Sequence, residues 1–155
     1  DIYSMDVVRI LKDMIEKYNI STENIEIEIT ESAYVENGSV IKDTEKAFKN
    51  AGFKILIDDF GSGYSSLNML KDISADVLKI DRGFLRASEN EAKGLDILES
   101  IITLAGKLGM KVITEGVETK KQLYMLVEMG CDMYQGYYFS KPIPVDEFEK
   151  KYNIK

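Results

Sequence analysis

The chain repeats one phrase: a helix-like run, a glycine, then a short apolar stretch that ends on a polar or charged residue. Residues 47–50 lead to Gly52 and the stretch 54–58. Residues 95–108 lead to Gly109 and Lys111–Thr114, and residues 122–129 lead to Gly130 and the stretch 133–137. A glycine just past a helix accepts the left-handed conformation that ends it, so each is a helix stop followed by a strand. Residues 25–30 alternate apolar and polar with period two, and residues 76–80 form a further short strand pattern. Val7, Leu11, Met14, Ile15 and Tyr18 recur at helical spacing over 5–18, and a last helix is expected over Val145–Tyr152 after two prolines. About five strands alternating with six helices predict a parallel α/β sheet in a single domain.

Glu28, Asp58, Lys79, Glu115 and Gln135 all fall at or just past the C-terminal ends of successive strands. An open doubly wound sheet gathers its ligand contacts at one switch point. Contributions from every strand suit an α/β barrel, whose site is assembled along that rim. Closing such a barrel takes eight strands, so the expectation is a partial TIM-type barrel in which the N-terminal strands are missing from residues 1–155.

Composition narrows the chemistry. A net charge of −7 argues against a nucleic-acid polymer as partner, since phosphate backbones are held by Lys/Arg patches. The chain has no histidine, which removes Ser-His-Asp and Cys-His systems and imidazole catalysis. The lone Cys131 excludes an internal disulfide and reads as a small buried hydrophobe. No apolar run reaches the ~18–20 residues of a membrane span, and no membrane contact is expected. Catalysis here must run on carboxylates, lysine, tyrosine, amides or a bound metal.

Asp58-Asp59-Phe60-Gly61-Ser62-Gly63-Tyr64-Ser65-Ser66-Leu67 is the most specific motif. Adjacent carboxylates directly after an apolar strand are costly unless a cation or hydrogen bonds compensate them. One could bridge two metal ions while the other binds one. An acidic turn that caps the following helix is the plainer alternative. Glu28-Ile-Thr-Glu31 ends the first strand, where a solvated strand face explains Glu28 equally well. Lys79 could hold a water or balance phosphate charge, or simply pair with Asp81 at the surface. Glu115 beside Gly116 is placed for a general base or metal ligand, whereas Glu118 and Thr119 also suit a helix's first turn. Gln135-Gly-Tyr-Tyr-Phe139 offers an amide and aromatic faces, or an aromatic core with a rim glutamine. Asp59-Phe60-Gly61 lacks the other kinase motifs, and Ser66 breaks the dinucleotide glycine spacing.

Together these motifs resemble the EAL domain family of bacterial signalling proteins, in the family's order and spacing from Ile25 to Pro144. Leu78-Lys-Ile-Asp81, Glu115-Gly-Val-Glu118 and Gln135-Gly-Tyr-Tyr-Phe-Ser-Lys-Pro142 complete the match. The resemblance implies a cytoplasmic phosphodiesterase, in a parent protein open to membrane anchoring, that opens cyclic di-GMP to linear pGpG with two Mg²⁺ or Mn²⁺ ions. It implies Glu28, Asp58 and Asp59 as metal ligands, with Asp58 bridging. Glu115 would be general base or second-metal ligand, and Lys79 would position the water. Gln135, Asp81 and Glu118 would line the substrate pocket. Glu31 would anchor the loop Phe60-Gly61-Ser62-Gly63-Tyr64, which lies near a homodimer contact in this family. An upstream sensor or GGDEF domain is the implied companion. Oxygen-only ligands suit hard cations independently of the resemblance.

The family's Glu-Ala-Leu segment, its strand asparagine and the arginine near the signature are not among these residues. The chain is therefore expected to be the C-terminal part of one EAL domain, inactive by itself. A degenerate cyclic-di-GMP receptor and a dimerisation module remain the alternatives.

Overall fold

The computed structural model describes residues 2–62, 67–89 and 91–154. Five parallel strands run β1 (Glu26–Thr30), β2 (Lys54–Phe60), β3 (Val77–Ile80), β4 (Lys111–Thr114) and β5 (Met133–Tyr134), and they pair in that order across the sheet. The helices are α1 (Ile2–Lys17), α2 (Glu31–Asn50), α3 (Leu67–Asp72), α4 (Arg82–Glu89), α5 (Ala92–Lys107), α6 (Lys120–Glu128) and α7 (Val145–Tyr152). Sequential neighbours joined by helical crossovers are the arrangement of a barrel wall.

The register sorts the side chains onto two faces. Ile29 pairs with Ile57, Ile57 with Leu78, and Leu78 with Val112, so one face is a continuous apolar layer. These residues belong to the buried core, with partly buried residues of the helices packed against it. The opposite face carries Glu28 beside Leu56, Asp58 beside Thr30, and Lys79 beside Ile113. Charge thus accumulates on the face that would turn inward in a barrel, at its C-terminal rim.

The predicted helix stops are present: Gly52, Gly109 and Gly130 have φ of 91°, 79° and 79°. The helix expected over 47–50 is instead twenty residues long and starts at Glu31, where the Thr30 hydroxyl accepts a hydrogen bond from the Ala33 amide. Asn37, with φ −137° and ψ 38°, kinks it and obscures its periodicity. Arg82–Glu89 is a helix that the sequence reading did not anticipate, and the described residues hold seven α-helices rather than six. β2 runs to Phe60, past the expected end at Asp58, while β5 stops at Tyr134 rather than 137.

The extension of β2 contains a bulge. Ile57 pairs with Leu78 and Phe60 with Ile80, so Asp58 and Asp59 together stand opposite Lys79 alone. Asp59 absorbs the extra residue with φ 57°. The effect is to return Phe60 to the apolar side, where it is 1% exposed, while leaving Asp58 on the charged side.

Candidate active site

Lys79 is the centre of the rim. Its side chain is only 12% exposed, and its Nζ lies 2.9 Å from Glu115 Oε1, 3.1 Å from Asp58 Oδ1 and 3.6 Å from Glu28 Oε1. Burial alone would lower the ammonium's pKa, but hydrogen bonds to Glu115 and Asp58 outweigh it and raise the pKa well above the ordinary lysine value. The group is a fixed cation at every physiological pH. The surface pair with Asp81, one alternative from the sequence, is not what forms.

Each partner is set by its own backbone. Asp58 Oδ1 also accepts from the Asp59 amide at 2.9 Å. Glu115 follows β4 and donates its amide to the Ile80 carbonyl at 3.0 Å, which holds it beside β3. Glu28 projects from β1 and is the most exposed of the three carboxylates. Among the described residues Asp59 forms no ion pair with Lys79, although the ammonium's charge still acts on it. Desolvation, then the charges of Asp58, Asp81 and Glu115, raise its carboxyl's pKa. Negative charge around one ammonium is therefore in surplus, and every donor is a carboxylate oxygen. That set fits a hard divalent cation. Among the described residues, however, no three carboxylates converge as a ready metal cage; Lys79 is the cation that draws Glu28, Asp58 and Glu115 together.

Glu31 is 3% exposed, and its Oε2 accepts from the Gly61 amide at 3.1 Å, linking the start of α2 to the turn after β2. Ser62 donates its amide to the Asp59 carbonyl at 3.0 Å. Phe60, expected with the loop residues, is instead a core side chain at the end of β2. Gly63 and Tyr64 lie outside the described residues.

A cleft of about 260 Å³ opens beside this cluster, lined by Asp81, Arg82, Glu115, Glu118, Gln135 and Tyr137 among others. Asp81 Oδ1 caps α4 by accepting from the Gly83 amide at 2.6 Å and the Phe84 amide at 3.3 Å. Gln135 donates its amide to the Thr114 carbonyl, and its carbonyl accepts from Val117, so backbone bonds fix it against the 115–118 loop. Glu118 does not decorate α6; it pairs with Arg86 at 2.7 Å, while Thr119 caps α6 in a reciprocal box with Gln122.

A model of the EAL domain matches residues 1–142. The chain belongs to the EAL domain family. It is 39% identical over 133 residues to the cyclic di-GMP phosphodiesterase NbdA of Pseudomonas aeruginosa, covering 84% of this chain and 17% of NbdA. The crystal structure of the EAL domain of Mycobacterium smegmatis DcpA superposes with a TM-score of 0.84 at 35% identity, covering 93% of this chain and 65% of that one. Klebsiella pneumoniae BlrP1, solved as a manganese and cyclic-di-GMP complex, gives 0.83 at 32% identity, over 88% of this chain and 35% of BlrP1. The fold is accordingly the TIM-barrel-like EAL architecture, of which this chain covers part.

Within this EAL chain the sequence reading missed Arg82 and Arg86. Both sit on α4, whose eight residues follow β3 with no glycine stop or long periodic run to announce them. The available signal was their spacing of four, which puts both on one helix face.

Proposed function

We propose that the complete domain containing these residues hydrolyses cyclic di-GMP to linear pGpG. The observation that carries this reading is the cluster of Lys79 with Asp58, Glu115 and Glu28 at the C-terminal rim of an EAL-family sheet. The names of NbdA and BlrP1 supply the substrate class. A 5′-phosphate in the product requires water to attack phosphorus while the bond to the 3′-oxygen breaks.

Glu28, Asp58 and Asp59 would hold two divalent cations, Mg²⁺ or Mn²⁺. Bound there, the pair would polarise the phosphate and acidify the attacking water. Lys79, whose hydrogen bonds to Glu115 and Asp58 favour the ammonium, is not the base. It acts as a fixed donor that orients the water and the Glu115 carboxylate and offsets phosphate charge. Glu115 accepts the proton of the attacking water. Glu31 anchors the loop after β2 through Gly61, and Gln135, Asp81 and Glu118 line the substrate cleft.

The test is steady-state turnover of cyclic di-GMP by the full-length protein. Chelation should abolish hydrolysis, Mg²⁺ or Mn²⁺ should restore it, and Ca²⁺ should not, because its looser coordination misplaces the reacting oxygens. Glu115→Gln should lower turnover by ~10²–10⁴-fold while cyclic di-GMP still binds. Metal-independent turnover, or a Glu115→Gln protein at normal rate, would refute the mechanism. Binding without turnover in the intact wild type would make it a receptor instead.

A further inference from the structure

The cleft contains a donor that the proposed chemistry does not use. Three carboxylates stand near Arg82, and each already has a partner. Glu115 is held by Lys79, Glu118 by Arg86, and Asp81 by the amides of Gly83 and Phe84. Among the described residues Arg82 itself forms no ion pair, although Arg86, one turn further along the same face of α4, does. Its stem is nevertheless fixed. Gly116 has φ 73°, and a methyl group there would run into Cβ, Cγ and Cδ of Arg82, so the glycine exists to let the arginine lie across the loop. With its stem held there, Arg82 lines the same cleft as Gln135 and Tyr137.

We propose that Arg82 recognises the O6 and N7 edge of a guanine base seated in this cleft. The inference rests on the cyclic-di-GMP reading above and names a specificity residue for it. A planar fork of donors matches two adjacent acceptors, which guanine presents and adenine does not, since adenine replaces O6 with an amino donor. A phosphate is the poorer occupant, because three carboxylates crowd the same cleft and Arg82 is the one cation lining it among the described residues. The remaining walls are of base-binding type: the Gln135 amide, and the exposed Tyr137 ring, one side of which faces Lys141 at 5.5 Å.

The experiment compares kcat/KM of the full-length protein on cyclic di-GMP and cyclic di-AMP, with direct binding of pGpG and pApA as a second readout. Arg82→Gln keeps most of the stem over Gly116 and removes the fork's match to guanine; Arg82→Ala removes both. Both variants should lose ~10- to 100-fold of the guanine-over-adenine preference, through KM and product affinity rather than kcat. Arg82→Lys should recover part of it, as a point charge without the fork. An unchanged preference in Arg82→Gln, or equal losses on both dinucleotides, overturns the assignment and makes Arg82 a packing residue. A wild type that turns over neither compound refutes the function proposed above, whereas pGpG bound no better than pApA by that wild type refutes guanine recognition itself.

Discussion

At the residue scale, Lys79 shows how one side chain can organise a site. Its ammonium stands among Asp58, Glu115 and Glu28, and against the lowering effect of burial its hydrogen bonds to Glu115 and Asp58 raise its pKa. A pKa raised in the folded state means the charge stabilises folding at every pH below the ordinary lysine value of about 10.4, and the benefit fades only as pH climbs through the raised value. Between pH 6 and about 9, then, the cluster should be insensitive to lysine titration. Replacing Lys79 with Met leaves the carboxylates facing one another without the cation. Lys79→Met is expected to lower the unfolding midpoint in chelator, to regain much of it on adding Mn²⁺, and to lose turnover by ~10²–10³-fold, as for a deleted transition-state donor. Thermal melts with and without metal check the first part and a turnover assay the second. The position of Lys79 at a strand end was legible in the sequence, but its partners were not, because a strand-end lysine beside Asp81 reads equally as a surface pair. The register, which puts Lys79 opposite Asp58 and Asp59, turns its ammonium to the rim carboxylates instead. Arg82 was not legible, since the Gly116 backbone it lies against and the cleft it lines come from distant parts of the sequence.

At the element scale, the strand ends were readable because glycine stops and apolar runs bracket them, and β3 and β4 lie within a residue of where the pattern puts them. The bulge in β2 was not readable. Alternation alone would place Asp58 and Phe60 on the same face; the extra residue Asp59 at φ 57° separates them. This separates backbone from charge at Asp59. Asparagine tolerates the left-handed region, so Asp59→Asn should keep the fold and its unfolding midpoint while losing metal affinity and turnover. Asp59→Val should cost about 1–2 kcal/mol of stability as well, because a β-branched residue strains there. Equal stability of the two variants in denaturant titrations would show that the bulge does not require this conformation. α2 was half-legible for a similar reason: the Asn37 kink breaks its phase, and its start depends on the Thr30 hydroxyl, which sequence alone reads as part of a strand face.

At the scale of the whole molecule, the fold class followed from the alternation of strands and helices, and the sheet they form has two edge strands. β1 and β5 stand at its two ends and do not pair with each other. The charged face bearing Glu28 has no opposing wall among the described residues, and Val7, Ile10 and Met14 leave an apolar stripe of α1 exposed. This chain covers 65% of the DcpA EAL domain. A polypeptide of these 155 residues alone is therefore expected to be catalytically inactive and not to persist as a monomer. Unpaired strand edges offer backbone donors and acceptors to any neighbour, and exposed apolar stripes add a non-specific attraction. With Glu28, Asp58 and Asp59 as the cation ligands that these residues supply, and Glu115 beside them, substrate phosphates would meet more negative charge than the site can offset. Light scattering on this polypeptide should report dimers or larger species. A turnover assay should read zero until the remaining portion of the parent domain is supplied in trans, when activity should return together with a smaller, defined particle. A monodisperse and active monomer would mean that five strands suffice to build the site.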